Sequence, residues 1–124
     1  MRGARSRPLI DYLESLRLTR ELDVLCALPG HGPVFAGTRG LIEQRTRHHE
    51  ERAGEIHAHL AHGPATARTL VDALWRSLPE DMLFLAVSEV LAHLDVLEAR
   101  GGVEQVGGAR VSFQQVSGPR PTAA

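Results

Sequence analysis

The sequence contains no lysine. All 14 of its cationic side chains are arginine, set against 15 carboxylates for a formal net charge of −1. A balance so near zero supplies no long-range pull toward nucleic acid or an anionic membrane. The arginine-only usage, with abundant alanine and glycine, is the mark of a GC-rich bacterial genome and not of a chemistry. There is one cysteine, Cys26, which excludes an intramolecular disulfide framework and fits a reducing cytoplasm. No apolar run approaches the roughly 20 residues that cross a bilayer. The N-terminal MRGARSRPL is basic, but no apolar stretch follows it as a secretory signal requires. What remains is a soluble globular composition, 43% hydrophobic and 23% charged over 124 residues. That length suits one ordinary domain or two very small ones.

Residues 1–7 are rich in Arg, Gly and Ser and are expected to be loose. From Pro8, acceptable in a first helical turn, Leu9, Tyr12, Leu13, Leu16 and Leu22 recur at near-helical spacing. The short apolar run Asp23–Leu28 is expected to be a buried strand, with Cys26 a small hydrophobe inside it. Pro29-Gly30-His31-Gly32-Pro33 then forces a loop. A long, charge-balanced helix is predicted from Thr38, as N-cap, to about Ala61. His62-Gly63-Pro64 breaks it.

Thr66 is placed to cap a helix over about Ala67–Ser77. Leu78-Pro79 turns the chain. The strongest helical period runs from about Glu80 to Arg100 and ends at Gly101-Gly102. Trp75 and Phe84 are expected in the core of this part, and His93 as a partly buried structural histidine. Val103–Val106, Gly107-Gly108 and Ala109–Val116 predict a hairpin with a two-residue, positive-φ turn. The tail after Ser117 is expected to be disordered. From residue 55 onward the order is helix, helix, helix, hairpin, which is that of a winged-helix module.

Several of these segments together resemble a known family. They are Tyr12-Leu13-Glu14-Ser15-Leu16, Leu28-Pro29-Gly30-His31-Gly32-Pro33-Val34, Leu41-Ile42-Glu43 and Arg47-His48-His49-Glu50-Glu51-Arg52. Gly63-Pro64-Ala65-Thr66, Leu70-Val71, Leu78-Pro79 and Val90-Leu91-Ala92-His93-Leu94 follow. The stretch from about residue 9 to 105 resembles the last third of metallo-β-lactamase-fold hydrolases. More narrowly, it resembles the branch that ends in a winged helix, which includes lactamase-like endoribonucleases.

The resemblance implies a fold that is mainly α with a small β-hairpin (α+β). A remnant strand and helix of the αββα metallo-β-lactamase fold would be followed by a winged-helix-like module. The implied divisions are 8–38 for the remnant, 39–62 for a linking helix, 63–116 for the module and 117–124 for the tail. It also implies a two-metal, zinc-type site in the intact family, with His31 as its last ligand and Pro29, Gly30, Gly32 and Pro33 shaping the loop. A loop histidine between two glycines is unencumbered, and neutral imidazole suits such metals. The chemistry implied is hydrolysis of an ester, thioester or phosphodiester.

The family's main H-x-H-x-D-H motif precedes its GHG loop and is absent from this sequence, so the chain is not expected to bind metal tightly or to be catalytic alone. His57-Ala58-His59-Leu60-Ala61-His62 spells H-x-H-x-A-H but is no substitute. It follows the loop, lacks the carboxylate, and lies in a predicted helix, where positions two apart diverge by about 200°. Solvent exposure is its ordinary reading. Arg47, His48 and His49 are likewise expected on a solvated face. The functional reading for Arg47 or His48 is contact with a substrate phosphate, which requires the missing domain.

Between Pro64 and Val116 four arginines face seven carboxylates, five of them on the would-be recognition helix. A phosphate-facing helix needs the opposite sign, so duplex recognition is not expected. The leading expectation is the C-terminal part of a metal-dependent hydrolase, its partner being a missing N-terminal metallo-β-lactamase region or a second copy in a homodimer. A free-standing winged-helix interaction module is the alternative, and a DNA-binding regulator the second. A cytoplasmic location and no membrane association are expected for all three.

Overall fold

Helix α1 (Pro8–Arg20) starts on a proline, carries Asp11 in its first turn and ends on Arg17 and Arg20. Each charge complements the partial charge of its end of the helix dipole. The structure is a computed structural model and describes residues 5–116. The tail expected at 117–124 lies outside the described residues. Leu9 is the one buried residue of α1. The helix packs on two longer ones, Thr38–His59 and Leu83–Ala99.

The segment ahead of α1 is not loose where it is described. Arg5 pairs with Asp95, and Arg7 Nη2 lies 2.6 Å from Glu98 Oε1.

The strand expected over Asp23–Leu28 does not form. A single antiparallel bridge, Ala27 to Phe35, replaces it. Leu25 and Leu28 are 87% and 78% exposed, and Cys26 is exposed rather than buried. The cause is a missing neighbour: a strand satisfies its backbone groups only against another. Among the described residues only Phe35 pairs with this run.

Helix α2 (Thr38–His59) begins one residue away from the expected cap. Gly37, with φ 77°, occupies the N-cap and makes no side-chain bond, while Thr38 is the first helical residue. The Thr38 hydroxyl is buried with no hydrogen-bond partner among the described residues. Ile42, Ala53 and Ile56 are the buried positions of this otherwise polar helix. A 3-10 turn, Leu60–His62, extends it to Gly63, whose φ of 129° ends the regular backbone.

Strand β1 (Ala65–Thr66) is too short to have shown in the hydropathy pattern. Helix α3 (Ala67–Leu74) starts at the expected cap, the Thr66 hydroxyl accepting from the Thr69 N–H at 3.1 Å. It ends three residues early. Trp75 adopts extended backbone angles and packs against the core from the helix's end.

The helix expected from Glu80 divides into a 3-10 turn, Glu80–Met82, and α4 (Leu83–Ala99). Gly101, with φ 73°, and Gly102 close α4 by donating to the carbonyls of Glu98 and Leu97, each at 2.9 Å.

Strands β2 (Val103–Val106) and β3 (Ser112–Gln115) form the hairpin, registered Val103 to Gln115 and Val106 to Ser112. Its connection is longer than expected, spanning 107–111, and neither Gly107 nor Gly108 has positive φ. Strand β1 adds to the far side of β3, giving an antiparallel sheet of order β1-β3-β2.

One core joins these parts. Ala53 and Ile56 from the second half of α2 and Leu60 of the 3-10 turn meet Leu70 and Val71 of α3, Ala86, Val90, Leu94 and Leu97 of α4, and Val103 and Phe113 of the sheet. Phe84 is not among them. It is 79% exposed, because it points away from the face that carries Ala86, Val90 and Leu94.

Candidate functional site

His31 stands at the tip of a loop closed at its base by the Ala27–Phe35 bridge. The Ala27 N–H donates to the Phe35 carbonyl at 2.8 Å, and the Phe35 N–H returns the bond at 3.2 Å. Gly30, His31, Gly32 and Pro33 are exposed, Pro29 half-buried. Gly32 has φ 95°, a left-handed conformation that side chains with a Cβ rarely adopt. A Cβ at Gly30 or Gly32 would meet nothing within 4 Å. The glycines therefore leave the imidazole unencumbered on both sides.

The residues present do not by themselves make a metal site. Among the described residues no group of three or more His, Cys, Asp or Glu side chains converges as a ligand set. A tightly held zinc-type ion normally takes three or four. Arg47 and His48 are exposed on α2 as expected. His57, His59 and His62 do not converge with His31 on a common centre. His59 and His62 share one shallow cleft beside Glu55 and Leu74.

Beside the loop, the first half of α2 is braced on α1. Arg20 Nη2 lies 2.8 Å from Glu43 Oε1, and this bond holds the Glu43 carboxyl below its usual range. Glu43 is thus neutralised, while Arg39, Arg45 and Arg47 remain exposed along the same half of the helix. Leu22, Leu25, Leu28, Val34 and Leu41 are exposed around the same region. An apolar surface of this kind is characteristic of a face that another structural layer covers.

One cluster was not anticipated. His49, expected on a solvated face with His48, is half-buried, and its Nδ1 lies 3.1 Å from Nε2 of buried His93. His93 Nδ1 is 2.8 Å from the Glu89 carbonyl. Tyr12 of α1 stands edge-on to His49 at 5.9 Å, and His48 at 5.7 Å. Burial is the first cause holding both imidazoles below the usual histidine range. The His93 charge adds to it for His49, while the Glu89 carbonyl opposes it for His93. The signal was present in the sequence: Ile42, His49 and Ile56 are spaced by sevens, which puts all three on one face of α2.

On the winged-helix part, α4 is less acidic toward solvent than its sequence suggests. Asp95 is 4% exposed and turned toward Arg5. Arg68 is paired with Asp72, and Arg100 Nη1 lies 2.8 Å from Glu50 Oε2. No helix among the described residues is long and apolar enough to cross a membrane.

Comparison with known proteins agrees with this layout. Residues 66–110 match the β-lactamase-associated winged-helix domain. The chain is 38% identical over 99 residues to a probable metallo-hydrolase of Bacillus subtilis (strain 168), covering 80% of this chain and 31% of that protein. A β-lactamase domain protein from Burkholderia ambifaria superposes with a TM-score of 0.80 at 30% identity, over 90% of this chain and 34% of its own. A metallo-β-lactamase family protein from Thermus thermophilus does so with a TM-score of 0.72 at 33% identity, over 91% and 35%. The chain thus spans about a third of the length of each relative. In sequence and in fold the chain is similar to about a third of these metallo-β-lactamase-type proteins, and its residues 66–110 are similar to the winged-helix domain associated with them.

Proposed function

We propose that this chain supplies the histidine-loop and winged-helix end of a metallo-β-lactamase-superfamily hydrolase, and that the rest of the catalytic site comes from polypeptide outside these 124 residues. The chemistry is hydrolysis of an ester, thioester or phosphodiester. His31 serves as one ligand of a shared zinc-type site, and Pro29, Gly30, Gly32 and Pro33 hold the loop that presents it. Residues 8–38 act as the piece that docks on the absent layers, 39–62 as the linking helix and 63–116 as the winged-helix module. Arg47 and His48 face the substrate side, where a phosphate would meet them. The setting is cytoplasmic.

The observation that carries this reading is the pairing of an unencumbered, exposed His31 with an unpartnered apolar segment. Leu25 and Leu28 sit on solvent in a run whose only described backbone partner is Phe35. Such a segment needs a neighbouring strand, and a lone histidine ligand needs companions. One missing body meets both needs: an upstream metallo-β-lactamase region or a second copy of the chain.

The test is a chimera in which the 99 matched residues replace their counterpart in the Bacillus subtilis relative. Metal content by inductively coupled plasma mass spectrometry and hydrolysis of a generic phosphodiester and thioester are measured with and without His31→Ala. A chimera that holds metal and loses it in the variant supports the proposal. A folded chimera whose metal content ignores His31→Ala overturns the ligand assignment.

A second reading is favoured by a different observation. Met82, Phe84 and Leu85 are 42%, 79% and 57% exposed at the start of α4, an apolar face suited to protein contact. In that reading the winged helix works as an interaction module, and the isolated chain would self-associate through this face. Loss of association in Phe84→Ser, with the fold retained, would support it.

A further inference from the structure

We propose that His49 and His93 form an acid-sensitive latch that holds the projecting half of α2, and α1 with it, against α4. The latch stands where the long helix leaves the core. On its C-terminal side Ala53, Ile56 and Leu60 belong to the main cluster of buried residues. On its N-terminal side only Ile42 is buried. His93 faces it from α4 between core residues Val90 and Leu94.

Hydrogen-bond bookkeeping assigns the protons. The Glu89 carbonyl only accepts, so His93 Nδ1, 2.8 Å away, carries a proton and donates. In neutral His93 the other ring nitrogen, Nε2, is then an acceptor. His49 Nδ1, 3.1 Å from it, must donate, which leaves a bare lone pair on His49 Nε2. A first proton can enter at that lone pair with the interhelical bond intact. A second proton cannot: with both rings charged, N–H faces N–H across the same gap and two like charges share a partly buried site.

The charged and titratable surroundings are Tyr12 from α1, Arg45, His48, Glu50 and Arg52 from α2, and Glu89 from α4 itself. Arg45, Arg52 and His48 disfavour further positive charge and Glu89 favours it. Burial outweighs the balance, and both imidazoles resist protonation more than a free histidine. Both depressions give the same sign. Above the unfolded histidine value of about 6.5 the latch contributes fully. As the pH falls below that value the unfolded chain binds protons that the folded chain refuses, and stability declines.

The experiment uses the full 124-residue chain. Two-bond proton–nitrogen correlation spectra at pH 7.5 should show His93 wholly as the Nδ1–H tautomer, and a titration should place its midpoint below the free-histidine value of about 6.5. Hydrogen-exchange protection factors in α1 should fall in step with His93 protonation while those in α3 persist. His93→Leu should remove at least half of the parent's fall in Tm between pH 7.5 and 5. A mixed tautomer for His93, a midpoint at or above about 6.5, or loss of α1 and α3 protection together would each overturn the proposal. Should His93→Leu fail to fold, the spectra and exchange data on the parent decide alone.

Discussion

The guanidinium of Arg52 lies over the ring of Trp75, 4.8 Å from its centroid, and ties the middle of α2 to the end of α3. Two carboxylates flank it: Glu55 Oε2 at 3.0 Å from Nη1, and Glu89 Oε1 at 3.4 Å from Nε. The Nε contact is close enough for charge attraction but is not aligned as a hydrogen bond. Lysine keeps the charge but loses the flat face and the fork. Arg52→Lys is therefore expected to cost about 1 kcal/mol, read as a lower urea midpoint at unchanged slope. A parent-like midpoint would show that the stacking contributes nothing.

The cap of α3 gives a sharper expectation. The Thr66 hydroxyl is the acceptor for the Thr69 N–H. Removing it in Thr66→Ala should destabilise the chain by about 1 kcal/mol, while Thr66→Ser, which keeps the oxygen, should cost much less. Equal denaturation curves for the two variants would rule out a capping role.

Burial predicts a contrast between two apolar residues. Ile56 is 0% exposed and Phe84 is 79% exposed. Ile56→Ala should lose about 2–5 kcal/mol through lost transfer energy and the cavity left behind. Phe84→Ala should stay within about 0.5 kcal/mol of the parent. A large loss at Phe84 in thermal unfolding would mean that this face is covered in solution.

The Arg100 bond to Glu50 holds that carboxyl below its usual range, against the opposing effect of burial. A depressed carboxylate contributes above its unfolded value of about 4.5, and that contribution fades as the pH falls through the folded value. Both side chains are about half exposed, at 49% and 47%, so screening keeps the contribution below about 1 kcal/mol. The stability gap between the parent and Glu50→Gln should be widest near neutral pH at low salt. It should narrow both in acid and at high salt. A gap unaffected by either would exclude the pairing as its origin.

Where the sequence was legible, periodicity carried the information. The spacing of Val90, Leu94 and Leu97 located α4, and the position of Thr66 located the start of α3, because those features act within one element. Segment 23–28 differs from its hydropathy for the opposite reason: a strand depends on partners from other segments, and hydropathy does not say whether they are present. Cys26 followed the same error. Strand β1, two residues long, has no periodicity to detect. His49 was overlooked because a polar residue on a polar helix looks solvated. Only its seven-residue spacing from Ile42 and Ile56 marked it as inward-facing. His31 could be singled out from its glycine and proline neighbours, which force an exposed loop around it.

Helix α2 is unbroken for 22 residues, about 33 Å from end to end. One end is set in the core and the other adjoins the loop of His31. A rod of that length works as a lever arm. A tilt of about 5° at its rooted end carries the far end through about 3 Å, more than the length of a metal–ligand bond. Small adjustments in the packing around Ile56 are thus magnified into a displacement of the whole loop that carries His31.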